Sequence, residues 1–143
     1  MATILNQAAR DAITAGRLAH LVTINPDGSP QVSCIWVGLE GDDIVSGHLF
    51  PQQKLRNVER DPRVALSIEA SGANAVGMQH YLVVHGRAAI EEGGAPELLQ
   101  ELAQTYVGPG TKFPPMDDPP PGRRLRITVE RIGGYGPWAD RTE

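Results

Sequence analysis

The chain has 143 residues, with 41% hydrophobic and 21% charged residues and a formal net charge of −4. That length suits one domain with a core of its own, and the composition excludes a disordered chain. The acidic balance argues against a general nucleic-acid binder, which needs a basic face to displace counterions, and no apolar run approaches the roughly 20 residues of a membrane-spanning helix.

Residues 3–16 read as a short amphipathic helix. Leu5, Ala8, Ala9, Ala12 and Ile13 recur at three-and-four spacing, and Gly16 suits the left-handed position past its end. Residues 18–24 form a β-rich run closed by Asn25-Pro26-Asp27-Gly28-Ser29-Pro30, a dense turn signal. A second strand is predicted over 31–39, a turn at 40–43 and a third strand over 44–48, giving two consecutive hairpins in a meander. Pro51 then opens a helix over 52–60, which Asp61-Pro62 stops. Residues 63–70 read as a fourth strand, 71–77 as a loop, and 78–90 as a fifth strand. In that fifth strand Tyr81-Leu82-Val83-Val84 is apolar on both faces, as a covered strand would be. Residues 96–106 are helical, with Leu98, Leu99, Leu102, Ala103 and Tyr106 on the buried face. The stretch 108–122 carries six prolines and no periodicity, an irregular loop of a length usually reserved for function. Residues 124–132 form the last strand, and 133–143 a glycine-rich tail holding Tyr135 and Trp138.

The expected fold is mainly β with inserted helices: a six-stranded, mostly antiparallel barrel in a single domain over 1–143. The helices are too few to cover both faces of a parallel sheet. The amino terminus lacks a basic stretch followed by an apolar one, so a cytoplasmic protein is expected. Cys34 is the single cysteine, which excludes an internal disulfide, and its bland reading is a small buried hydrophobe within a strand. His20 has no ligand partner at useful spacing, and His85, mid-strand beside Gly86, reads as structural. Without a Cys-x-x-Cys, His-Glu-x-x-His or clustered carboxylate pattern, no metal site is expected.

The helix over 52–60 carries the strongest chemical signal. Lys54 and Asn57 are three apart and share a face, with Arg56 and Arg60 beside them. A helix start supplies free N–H groups and a positive dipole end, Lys a point charge and Arg a planar fork, which together suit a phosphate. The competing reading is a solvated helix face balanced by Glu59 and Asp61.

The order Asp27-Gly28-Ser29-Pro30, then Trp36, then Lys54-x-x-Asn57, then Asp61-Pro62-Arg63 resembles the pyridoxamine 5'-phosphate oxidase-like split β-barrel superfamily. Within it the chain is most similar to the branch of reductases that use the deazaflavin coenzyme F420, over about residues 15–90 and more weakly to the final strand. The resemblance implies a homodimer with two cofactor sites at the subunit interface. It implies a cofactor phosphate held by Lys54 and Asn57, with Arg56 and Arg60 nearby, and a cofactor ring lying along Ser33, Cys34, Ile35 and Trp36. Ser46, Gly47 and His48 fall at the end of the next strand, where the family commonly has a threonine, so His48 is a departure. Gln79, His80, Tyr81 and Trp138 fall where a second subunit would close the pocket, with Tyr81 and His80 as proton-donor candidates. The implied activity is hydride transfer from reduced F420 to an unsaturated small-molecule substrate. The alternatives are an FMN-binding oxidase or flavin reductase of the same fold, and a non-catalytic F420 carrier.

Overall fold

Residues 4–139 are described by the computed structural model. Asn6 accepts the Ala9 amide at 2.9 Å and caps helix α1 (Gln7–Thr14), so the helix begins at this cap rather than upstream of it. Its buried face, Ala9, Ala12 and Ile13, is the one the periodicity indicates. Strands β1 (Ala19–Ile24) and β2 (Pro30–Ile35) form the first hairpin, then β3 (Gly38–Glu40) and β4 (Asp43–His48) a second. Helix α2 (Gln53–Arg60) begins after Gln52, which is extended, so Pro51 lies ahead of the helix instead of in its first turn. Strands β5 (Arg63–Ala73) and β6 (Gln79–Glu92), helix α3 (Ala95–Tyr106) and strand β7 (Arg123–Tyr135) complete the fold.

All strand pairs are antiparallel, in the order β2-β1-β5-β6-β7-β4-β3. The predicted strand over 31–39 is therefore divided. Its halves, β2 and β3, are not neighbours but the two opposite ends of a seven-stranded sheet, so the expected meander does not form. From Ile35 to Gly38 the chain spans at most about 11 Å. The two ends of the sheet must therefore meet across Trp36 and Val37, and the sheet is curled into a barrel with its seam there. The expected tail begins later, after Tyr135, because Gly133, Gly134 and Tyr135 pair with Val83, Leu82 and Tyr81, and its residues 140–143 lie outside the described residues. The register of that pair shifts at Gly86, where a Cβ would sit 2.2 Å from the Thr128 carbonyl oxygen, so only glycine fits the close approach.

The alternation along each strand fills the barrel with Leu21, Ile44, Leu66, Ile68, Leu82, Val84, Leu125 and Ile127, and α1 and α2 add Ile13, Leu55 and Val58 to the same core. Burying each such side chain contributes about 1.5–3 kcal/mol. Helix α3 instead packs outside, where Leu98 and Leu102 meet Val45. Strand β4 is thus buried on both faces. The outward face of β7 carries Arg124 and Arg126, which reach Glu40, Asp43 and Glu91 on three neighbouring strands. Among the described residues no helix is long and apolar enough to cross a membrane.

Candidate functional site

Beside the seam, the end of β2, the end of β4 and the start of α2 enclose a cleft of about 320 Å³. Cys34, Ile35 and Trp36 line it from β2 and the seam, Gly47 and His48 from β4, and Lys54 from α2. Six of the residues singled out from the sequence thus converge here. Leu18, Leu49, Phe50, Gln52, Leu99 and Phe113 complete the lining and were not singled out.

Lys54 is the only Lys, Arg, Asp or Glu in that lining. It is 8% exposed, and its ammonium donates to Ser33 Oγ at 3.4 Å. Burial holds its pKa below the ordinary lysine value. The reading of this helix as a solvated face therefore fails on its inner side: Lys54 and Asn57 are buried, while Arg56, Glu59 and Arg60 face out. Glu59 pairs with Arg123 and Asp61 with Arg63, so neither balances Lys54.

Asn57 does not line the cleft. It is fully buried, and its amide nitrogen lies 3.0 Å from Thr23 Oγ1, 2.9 Å from Asn25 Oδ1 and 3.3 Å from Gln31 Oε1. Its carbonyl accepts from Gln53 at 2.8 Å and from Arg60 at 3.4 Å. The residue bolts α2 onto the first hairpin and so sets where Lys54 stands. Arg60 also donates to the Ile24 carbonyl, an anchoring contact, whereas exposed Arg56 donates to Gln53 at 2.9 Å.

His48 is 7% exposed and its Nε2 lies 2.8 Å from Ser46 Oγ, itself buried. Desolvation, with the charge of Lys54 adding to it, pushes the imidazole pKa down to about 4, against the smaller opposing effect of a hydrogen bond that the ring donates to Gln52. The ring is neutral at pH 7. Gly122 closes this side: a Cβ there would stand 2.3 Å from the His48 carbonyl oxygen, and its φ of +58° is a further reason for glycine. That contact sets the end of the 108–122 loop against the tip of β4.

Cys34 is exposed, which overturns its reading as a buried hydrophobe. It lies on β2, whose alternate residues face outward next to the seam. Trp36 stacks on Tyr106 with centroids 5.2 Å apart and meets Phe113 at 5.1 Å. The Tyr106 hydroxyl accepts the Val37 amide at 3.0 Å and donates to the Arg17 carbonyl at 3.0 Å, fixing the seam to α3. Phe113 belongs to the proline-rich loop, and only that loop's length marked it in the sequence.

Gln79, His80, Tyr81 and Trp138 lie apart from the cleft within one chain. Gln79 donates to the carbonyls of Ala70 and Gly72. Tyr81 is 37% exposed and meets Tyr135 edge-on at 5.7 Å. His80 and Trp138 line a separate recess of about 340 Å³ beside α1, with their rings 6.1 Å apart. Trp138 is buried in its own core, and its indole N–H has no hydrogen-bond partner among the described residues. Among those residues there is also no group of three or more His, Cys, Asp or Glu placed to hold a metal.

A curled antiparallel sheet with its seam at β2 and β3 and a buried lysine at the start of the helix after β4 defines a split β-barrel. Residues 5–135 match the family model described as pyridoxamine 5'-phosphate oxidase, and the chain belongs to that family. Among solved structures it is similar to an F420 reductase at 25% identity, covering 90% of this chain and 98% of that one with a TM-score of 0.72. It is similar also to the conserved hypothetical protein Rv2991 from Mycobacterium tuberculosis, at 27% identity, 92% and 84% coverage and a TM-score of 0.71. A heme binding protein from Mycobacterium smegmatis, 21% identical over 92% of this chain and 55% of that one (TM-score 0.63), shares the fold alone. No match is found among curated proteins.

Proposed function

We propose that this protein is a cytoplasmic, homodimeric oxidoreductase that binds coenzyme F420 and delivers a hydride to an unsaturated small molecule. The observation that carries the reading is Lys54, a lysine buried in the wall of a cleft whose lining holds no other lysine, arginine or carboxylate. Keeping a lysine there costs desolvation that an anionic ligand offsets. The likeness to an F420 reductase supports a deazaflavin as that ligand.

The donors fit a phosphorylated, ring-bearing cofactor. Lys54 and the amides of Gln53 and Lys54, which precede the Leu55 and Arg56 amides that bond the Gln52 carbonyl, would hold the phosphate. The backbone from Ser33 to Ile35 on β2 and on to Trp36 in the seam would lie along the ring. When bound, the cofactor supplies the hydride chemistry itself. The chain's contribution is positional: Asn57 fixes the height of Lys54, Ser46 orients His48, and Tyr106 and Phe113 hold Trp36 over the cleft mouth. Gln79, His80, Tyr81 and Trp138 would serve the pocket of the partner copy, with Tyr81 or His80 as proton donor.

The test is direct. Purified protein is titrated with F420 and with FMN while cofactor fluorescence is followed, and reduced F420 is then offered with enone and imine substrates. Tighter binding of F420 with turnover is expected. Tighter binding of FMN would replace the cofactor, and F420 binding without turnover on any acceptor would leave a carrier. Light scattering at micromolar concentration should give twice 15.4 kDa, and a monomer would remove the shared site.

A further inference from the structure

The cleft wall that this chain supplies carries one positive charge, and the geometry keeps it at one. Lys54 holds that charge, and the lining contains no carboxylate. The other basic group, His48, is buried, is bonded through Nε2 to the Ser46 hydroxyl rather than to an acid, and stands in the field of Lys54. Among the described residues, nothing on the neighbouring elements offers the imidazole a counter-ion. Gln52 and Ser46 are neutral, and Cys34 is the remaining titratable group in the lining. Arg123, opposite His48 on β7, turns to Glu59 and Glu92. Arg56 is exposed, and Arg60 is tied to the Ile24 carbonyl.

We propose that this cleft selects a phosphodiester over a terminal phosphate monoester, and that His48 sets the selection by standing uncharged where a second cation would be needed. A phosphodiester carries a single negative charge, which Lys54 balances. A monoester carries about −1.5 to −2 at pH 7 and would leave close to one charge unbalanced beside Lys54. The inference deepens the proposed function and rests on its placing a cofactor phosphate at Lys54. In F420 that phosphate bridges the ribityl chain to a further acidic tail, and in FMN it is terminal.

The experiment uses two matched pairs: the deazaflavin with a ribityl phosphate and the same molecule with that phosphate methylated, and FMN with its phosphate methyl ester. Each pair shares a ring and differs by one charge. At pH 7.5 the methyl diester of a pair should bind more tightly than its monoester by on the order of tenfold. The gap should close toward pH 5, as the monoester dianion takes up a proton near pH 6 and becomes a monoanion. Equal binding, or a tighter monoester, at pH 7.5 would overturn the inference. Selectivity within the flavin pair alone, with neither deazaflavin bound, would keep the inference and overturn the proposed cofactor; no binding of either pair would overturn both. His48→Lys, which adds the missing cation, should erase the gap, and a folded variant that keeps it would refute the role of His48. Should that variant not fold, nitrogen-15 spectra of the wild-type imidazole with the diester bound should show a neutral ring at pH 7, and a protonated ring would refute it equally.

Discussion

Acid should weaken this fold through one imidazole, and the size of the effect follows from its burial. The His48 pKa lies at about 4 in the folded chain against an ordinary 6.5. As pH falls below 6.5 the unfolded chain takes a proton that the folded chain refuses, so stability is fully present above that value and is lost toward pH 4. At about 1.36 kcal/mol per pKa unit, the loss is about 2 kcal/mol by pH 5 and approaches about 3 kcal/mol near pH 4. The imidazole is nearly enclosed, so solvent screening takes little from this. His48→Gln keeps a polar side chain beside Ser46 but cannot titrate. Urea unfolding of wild type and variant at pH 7.5 and pH 5 isolates the contribution, because carboxylate effects are common to both proteins. The Asp61 carboxyl, held at about 2 chiefly by its hydrogen bonds from Arg63, titrates well below the window. Wild type should lose about 2 kcal/mol more than the variant between those two pH values. Parallel losses would show that His48 protonates in the folded state without penalty, and the enclosed, acid-free setting described for it would be wrong.

Lys54→Met, which keeps the aliphatic stem, should weaken F420 binding by about 1.5–3 kcal/mol, the range for a hydrogen bond to a charged group, while urea unfolding of the free protein stays unchanged or moves to higher denaturant. Unchanged affinity would move the phosphate site elsewhere. Asn57→Ala should cost about 2–3 kcal/mol of stability, because several buried polar partners lose their contact at once, and a cost below 1 kcal/mol would deny it the anchoring role. Arg60→Gln should destabilise by about 1 kcal/mol through the lost Ile24 carbonyl contact, whereas Arg56→Gln should stay within about 0.5 kcal/mol of wild type. If Arg56 meets the acidic tail of F420, its variant should bind F420 less well at low salt and equally well at high salt, as read by fluorescence titration.

The strands were legible in the sequence wherever one face is buried and the other is not, as in Val64, Leu66 and Ile68 on β5 or Leu125, Ile127 and Val129 on β7. Alternation reports burial, and burial is what the barrel interior imposes. The break after Ile35 was not legible. Trp36 and Val37 are themselves good strand residues, and only the pairing of β3 with β4 at the far end of the sheet separates them from β2. Lys54 announced itself through its place at the start of a helix and its spacing to Asn57. That spacing says the two share a helix face, but it could not say that Asn57 would turn to Thr23 and Asn25 while Lys54 turned to the cleft. Phe113 and Gly122 lie in a stretch without periodicity, where position comes from contacts distant in the chain. The exposure of Cys34 depends on which side of the seam its strand presents, a property of closure rather than of local sequence.

The seam also bears on solubility. An open seven-stranded sheet ends in two strands with unpaired backbone groups, a template for pairing with other chains. Here the same run of chain leaves one end of the sheet and enters the other, so the two ends are drawn together by covalent connection. What remains is short: β3 has three residues, and β2 begins with a proline that cannot donate to a ladder. A substitution that loosened Trp36 from Tyr106 and Phe113 would thus do more than blunt the cleft. It would leave the covalent connection in place but free the unpaired backbone of β2 and β3 on either side of it, and aggregation would report the damage before any loss of cofactor did.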